Sequence, residues 1–234
     1  NTLNSKPYID MTISTAASFG VDIAHRDYKE FFVSGGQEYQ AVDYKIEGDW
    51  SGASCLLVAG AVAGEITLHN LNPLSLQADK AILDALTDAG AGITTADDSI
   101  HIASRPLKAF EFDATDCPAL FPALATLAAN CEGESVITGT NRLQSKESNR
   151  AETIASEFGK LGIEIDITEP NVMRIRGGVP CGGTVNSHGD HRIAMTLAVL
   201  ALNATDEVTI TGAECVSKSY KDFWEDYDKI TVYE

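Results

Sequence analysis

The sequence predicts an α/β fold assembled from repeated β-α-β-α-β-β units packed around a shared core. Three observations carry that prediction. Helix-period and strand-like runs alternate along nearly the whole chain. Three helix ends share one punctuation, a glycine followed at once by an alternating strand: Phe19-Gly20-Val21-Asp22-Ile23, Ala89-Gly90-Ala91-Gly92-Ile93 and Leu161-Gly162-Ile163-Glu164-Ile165. And 44% of the 234 residues are hydrophobic, ample for one large core or two smaller ones. The repeat period, about seventy residues, is long for a solenoid, whose units usually run about 20–50. Three units closing on one another would instead give a pseudo-threefold domain.

Taken in order, Pro7 to Gly20 reads as a helix with Ile9, Ile13, Ala16 and Ala17 on one face. Strand-like runs follow at Val21–Ala24 and Phe31–Ser34. The polar stretch Gln37 to Asp49 reads as a linker or domain boundary. Gly52 to Gly64 is an Ala/Val-rich helix, followed by the strand Glu65–His69. Ala78 to Gly90 is a helix, and strands are expected near Ile93, at Ile100–Ile102 and at Phe110–Phe112. The order then recurs: helix Pro118–Asn130, strand Ser135–Thr138, helix Ser145–Gly162, strands Ile163–Ile167 and Val172–Ile175. A third round gives helix His191–Leu202, strand Glu207–Ile210 and helix Tyr220–Ile230. Gly177-Gly178 and Gly182-Gly183 read as turns. The third unit stops after its second helix, so its closing strands are expected from residues upstream of Asn1.

Composition narrows the function classes. A net charge of −17 argues against nucleic acid or an anionic membrane as partner, and makes local basic clusters more informative. The longest apolar run, Ile193 to Leu202, has the length of a core helix, not of a membrane span. Five cysteines without CxxC spacing read as reduced thiols of a cytoplasmic protein. The chain opens on Asn1 without a signal-peptide pattern, which suggests a piece of a longer gene product. His188 and His191 lie three apart, but no third ligand has suitable spacing and Arg192 would repel a cation, so no metal site is expected. No GxGxxG or P-loop follows a strand, so no nucleotide cofactor is expected either.

The polar residues suited to chemistry stand where helices begin. These are Ser5-Lys6-Pro7-Tyr8, Asp116-Cys117-Pro118, Lys146-Glu147-Ser148-Asn149-Arg150 and Gly189-Asp190-His191-Arg192, with Lys218 just ahead of Tyr220. Ser145 is a possible cap, which would put Lys146 and Arg150 four apart on one face of a first turn. Helix N-termini carry free N–H groups and positive dipole charge, so cations added there favour an anion with several charges. Asp116 and Asp190 also suit plain capping. In a repeat fold equivalent helices point the same way, so several of these ends could converge.

The series Ser5-Lys6-Pro7-Tyr8-Ile9-Asp10, Glu47-Gly48-Asp49 with Ser51 and Ser54, Lys146-Glu147-Ser148-Asn149-Arg150, Asp190-His191-Arg192-Ile193-Ala194-Met195 and Lys218 resembles the C-terminal portion of the 3-phosphoshikimate 1-carboxyvinyltransferase (EPSP synthase) family. The resemblance runs from Ser5 almost to the C-terminus, while the family's N-terminal half is absent. It implies two domains, each an inside-out α/β barrel of three βαβαββ-type units. Residues 1–46 would be the tail of the first domain. Residues 47–234 would be the second, lacking strands that the family's N-terminus supplies. The implied reaction moves the enolpyruvyl group of phosphoenolpyruvate to the 5-hydroxyl of shikimate 3-phosphate and releases phosphate, with no cofactor and in a monomer. On that likeness Ser5, Tyr8 and Lys146 would bind shikimate 3-phosphate. Arg150, Arg192 and Lys218 would clamp phosphoenolpyruvate, supported by Asp190 and His191. Glu147 would carry protons, with Lys218 in the catalytic set and Asp116 as the base if the alignment slips by a few residues.

One departure stands out. The family's sugar-binding aspartate, its proposed base, follows the proline of Cys117-Pro118-Ala119, and here that position is Ala119. Asp116 lies most of a turn away and is a poor substitute. With half the family's chain absent as well, the piece is expected to bind anions and turn over little alone. Two rivals stay open: an enzyme transferring enolpyruvyl to UDP-N-acetylglucosamine, which would need a reactive cysteine, and a non-catalytic anion-binding or assembly module.

Overall fold

The computed structural model describes residues 3–231. It opens with α1 (Lys6–Ser18), whose chain leaves through Gly20 in the left-handed region and turns into the antiparallel pair β1 (Ile23–Arg26) and β2 (Glu30–Val33). Residues 37–49 hold no helix or strand.

A first unit follows: α2 (Trp50–Ala63), β3 (Glu65–His69), α3 (Ile82–Ala89), β4 (Gly92–Thr95) and β5 (Ser99–Ala103). The second is complete: β6 (Glu111–Asp113), α4 (Phe121–Ala129), β7 (Glu134–Thr138), α5 (Arg150–Lys160), β8 (Glu164–Asp166) and β9 (Val172–Arg176). The third comprises β10 (Gly183–Asn186), α6 (His191–Ala201), β11 (Val208–Thr211) and α7 (Phe223–Ile230). The repeat is visible in the pairing. In the second unit β6 runs parallel to β7, which pairs antiparallel with β9, and β8 closes the order β6-β7-β9-β8. The first sheet, β3-β5-β4, matches its last three strands, and the parallel pair β10-β11 matches its first two. By the same register β3 lacks a partner where β7 has β6, and β11 lacks one where β7 has β9, among the described residues.

The architecture is inside out because α2, α4 and α6 are apolar on nearly every face. All nine residues of α4 are buried, as are His191 to Leu200 of α6. A helix hydrophobic all round belongs in a core, and these three pack on one another at the centre. By contrast α3 and α5 bury one stripe, and the sheets lie outside. Gly90 and Gly162 end α3 and α5 with positive φ, 93° and 83°, as the shared punctuation predicts.

The structure corrects three local expectations. The helix expected from Ser145 begins at Arg150, so Ser145 caps nothing and Lys146 and Glu147 sit on the loop before it. The helices expected from Ala78 and Pro118 start as 3₁₀ turns, Ala78–Ala81 and Pro118–Leu120, before α3 and α4. Gly183, read as part of a turn, instead opens β10. There the backbone passes so close to the Asp206–Glu207 stretch that a Cβ on Gly182 would overlap it.

At the C-terminal ends of α2 and α6 lies a groove of about 490 Å³, lined among others by Ile66, Val208, Ile210, Trp224 and Tyr227. It sits between the free edges of β3 and β11. It is far from the helix N-termini that carry the polar residues.

Candidate functional site

At the opposite end the N-terminal ends of α1, α2, α5 and α6 meet. Asp190 is the hub. Its carboxylate caps α6 by accepting from the Arg192 backbone N–H at 3.0 Å. It also accepts two charge-assisted bonds from Arg150, from Nε at 2.8 Å and Nη2 at 3.1 Å, and one from Ser148 Oγ at 3.1 Å. Both charges are buried: Asp190 is 0% exposed and Arg150 2%. Burial works to raise the Asp190 pKa, but the Arg150 guanidinium and the cap bond outweigh it and hold the carboxyl below its ordinary range. Arg150 Nη2 also donates to Glu147, at 2.8 Å.

From this hub two further cations reach out. Arg192 turns its side chain toward the start of α2, where Nη1 donates to the Ser51 carbonyl at 2.6 Å. Lys218, at the end of the 3₁₀ stretch Ala213–Lys218, donates to the Gly189 carbonyl at 2.8 Å. The turn Asn186–Gly189 is held from beneath by the buried Glu157 carboxylate, which accepts from the Asn186 N–H and meets His188 Nε2, each at 2.8 Å.

Residues 5–8 supply the other wall. Ser5 has φ 59°, and its N–H donates to Asp116 Oδ1 at 2.6 Å while its Oγ accepts from Arg142 Nη2 at 2.9 Å. Tyr8 OH donates to Asp79 Oδ1 at 3.4 Å. The other Asp79 oxygen accepts from Ser51 Oγ. Burial, with Asp79 alongside, pushes the Tyr8 phenol well above its usual value. Lys146 is exposed on its loop. Partial burial, then the charges of Arg150 and Arg142, lower its pKa against the pull of Glu147 and Asp79. Among the described residues, no carboxylate lies within 4 Å of the cationic group of Arg142, Lys146, Arg192 or Lys218. In a chain of net charge −17 that concentration of uncompensated cations favours an anion of more than one charge.

The family model described as EPSP synthase (3-phosphoshikimate 1-carboxyvinyltransferase) matches residues 1–227. The chain belongs to the EPSP synthase family. Similar sequences include the 3-phosphoshikimate 1-carboxyvinyltransferases of Clostridium acetobutylicum, 42% identical, and Clostridium novyi, 38% identical, each over 97% of this chain. The match covers 53% and 52% of those proteins, so the chain spans about half the length of the relatives it matches. Among solved structures, an EPSP synthase from Acinetobacter baumannii superposes with a TM-score of 0.81 at 27% identity, over 98% of this chain and 54% of that one. The likeness to the enolpyruvyl transferase NikO from Streptomyces tendae, 22% identical with a TM-score of 0.72 over 96% of this chain and 53% of that one, is one of fold.

The residues that carry the EPSP synthase resemblance fall mostly at one end of the domain. Ser5, Tyr8, Glu147, Arg150, Asp190, Arg192 and Lys218 make the contacts described above, and Lys146 lies close enough to feel the charges of Arg150, Glu147 and Asp79. Three details differ from expectation. Lys146 and Arg150 do not share a helix face, because Lys146 precedes the helix. Asp116 is not a cap: the turn beyond Cys117 has no side-chain cap, and the carboxylate is drawn to Ser5 N–H, 111 residues away. Arg150 is engaged through Nε and Nη2 by Asp190 and Glu147, so it is a held charge more than a free clamp. His191 is 6% exposed and its Nδ1 has no hydrogen-bond partner. Burial and the neighbouring Arg192 lower its pKa, so the ring is neutral at pH 7. Ala119 is on the 3₁₀ turn Pro118–Leu120, partly exposed. No group of three or more potential metal ligands occurs among the described residues. Sequence reasoning missed Asp79 and Arg142. Each sits on a short turn outside the motifs, and only the fold brings it to Tyr8 or Ser5.

Proposed function

We propose that this chain is the C-terminal portion of an enzyme that transfers the enolpyruvyl group of phosphoenolpyruvate to the 5-hydroxyl of shikimate 3-phosphate, releasing phosphate. Residues 1–46 are the tail of its first domain and 47–234 most of its second. The observation that supports this reading best is the meeting of Arg142, Lys146, Arg192 and Lys218, without carboxylate partners, at the residues of the family likeness. Arg192 and Lys218, with Arg150 held behind them, suit the carboxylate and phosphate of phosphoenolpyruvate. Ser5, Tyr8 and Lys146 suit shikimate 3-phosphate. Glu147 is 40% exposed beside Arg150, close enough to the cations to move a proton to and from the methylene carbon.

The partner is the enzyme's N-terminal half, and together they act as one monomer. Its strands pair with the free edges of β3 and β11 and cover the groove at Ile66, Val208, Ile210 and Trp224. The site of action is the cytoplasm, a reading supported by five free thiols. No described helix is long and apolar enough to cross a membrane. Cys55, Cys117 and Cys131 are buried, and burial raises all three, Cys117 and Cys131 up to about 12. Protonated thiols of this kind argue against the rival transfer to UDP-N-acetylglucosamine through a reactive cysteine.

Thermal unfolding tests the reading. Shikimate 3-phosphate at one hundred times its dissociation constant stabilises by about 2.7 kcal/mol. In a domain of this size that raises the midpoint by about 5–10 °C. Lys146→Ala should remove most of the shift. A wild-type midpoint that ignores the ligand would favour a non-catalytic module.

A further inference from the structure

Asp79 has no role in the assignments above, yet it lies between their two halves. It stands on the 3₁₀ turn Ala78–Ala81 and is 2% exposed. A carboxylate so buried normally has a cation bonded to it. Among the described residues Asp79 instead has two hydroxyls, Ser51 Oγ and Tyr8 OH. Ser51 also offers its carbonyl to Arg192 Nη1. The result is a relay, Tyr8–Asp79–Ser51–Arg192. One end is on α1, on the shikimate 3-phosphate side, and the other on α6, on the phosphoenolpyruvate side. The Asp49 cap, which accepts from Ser51 N–H and Gly52 N–H, fixes the backbone between them. Burial raises the Asp79 pKa above its ordinary value, and the Ser51 hydroxyl and the nearby charge of Arg192 only partly offset it.

We propose that Asp79 is a positioning residue that couples the two substrate subsites by holding Tyr8 and the Ser51–Arg192 contact in one hydrogen-bonded relay. The proposal rests on the functional reading above for the identity of the ligands. Its physical basis is ordering. A ligand that fixes Tyr8 also fixes Asp79 and Ser51, and so the direction of Arg192, and the second ligand meets a site already set. A buried acid with a purely structural role would lower stability on mutation and leave the interdependence of the ligands unchanged.

Calorimetric titration of the chain with phosphoenolpyruvate, without and with saturating shikimate 3-phosphate, measures the coupling. In the wild type we expect the second ligand to bind about tenfold more tightly, with the same factor when the order is reversed. Asp79→Asn should cut that factor to below about twofold while phosphoenolpyruvate alone binds within about threefold of wild type. Tyr8→Phe removes one arm of the relay, leaves the buried acid in place and should likewise lose the coupling, so it decides the matter if Asp79→Asn fails to fold. Tenfold coupling retained in either variant overturns the proposal. So does a wild type that binds both ligands independently, and that result leaves the functional reading standing. A wild type that binds neither ligand overturns both.

Discussion

Replacing Asp190 with alanine is expected to lower the unfolding free energy by about 3–5 kcal/mol, the cost of leaving one member of a buried ion pair without its partner. Arg150 is 2% exposed, and two of its three bonding contacts to carboxylates are to Asp190. Losing the α6 cap adds to the damage, typically about 1 kcal/mol. The urea midpoint of Asp190→Ala against wild type checks this. A companion result is expected in acid. The folded pKa of Asp190 is depressed, so its contribution is complete above the unfolded value near about 4 and is lost as pH falls through the depressed folded value. Asp190→Asn should flatten that acid limb. An unchanged midpoint in Asp190→Ala would mean that the pair is dispensable, and the hub with it.

Turnover is expected to rise by about 10²–10⁴-fold when Ala119→Asp is combined with the N-terminal half, the range for a positioned general base. Position 119 lies on the 3₁₀ turn leading into α4, one turn from the Ser5–Asp116 contact. Asp116 is poorly placed to take over, because it stands before the turn and its Oδ1 is engaged by the Ser5 N–H. Phosphate release from phosphoenolpyruvate and shikimate 3-phosphate is the measurement. Comparable turnover with alanine at this position would mean that the proton leaves by another route. Robust turnover by the chain alone would overturn the view that it is half of an active unit.

Much of the fold was legible because its punctuation is local. Gly20, Gly90 and Gly162 each adopt the left-handed conformation that stops a helix, and this needs nothing beyond the residue itself. The inside-out packing was expected only through the family resemblance, and the wholly buried α4 is where it shows. What escaped was set by distant partners. Gly182-Gly183 looks like a turn until β11 pairs alongside it. Ser145 looks like a cap, but Ser148 and Glu147 turn to Asp190 and Arg150, and the helix starts at Arg150. Of the candidate site, the cations and Asp190 were visible as a family pattern. Asp79 and Arg142 were invisible because their meaning lies in contacts 71 and 137 residues away along the chain.

A group of cations without carboxylate partners, on a body of net charge −17, has a kinetic consequence. Farther out than about 8 Å, the screening distance at physiological ionic strength, an approaching dianion meets mostly repulsion. Inside that distance it meets Arg192 and Lys218. Added salt should therefore quicken arrival and hasten departure together, so the observed relaxation accelerates while occupancy declines.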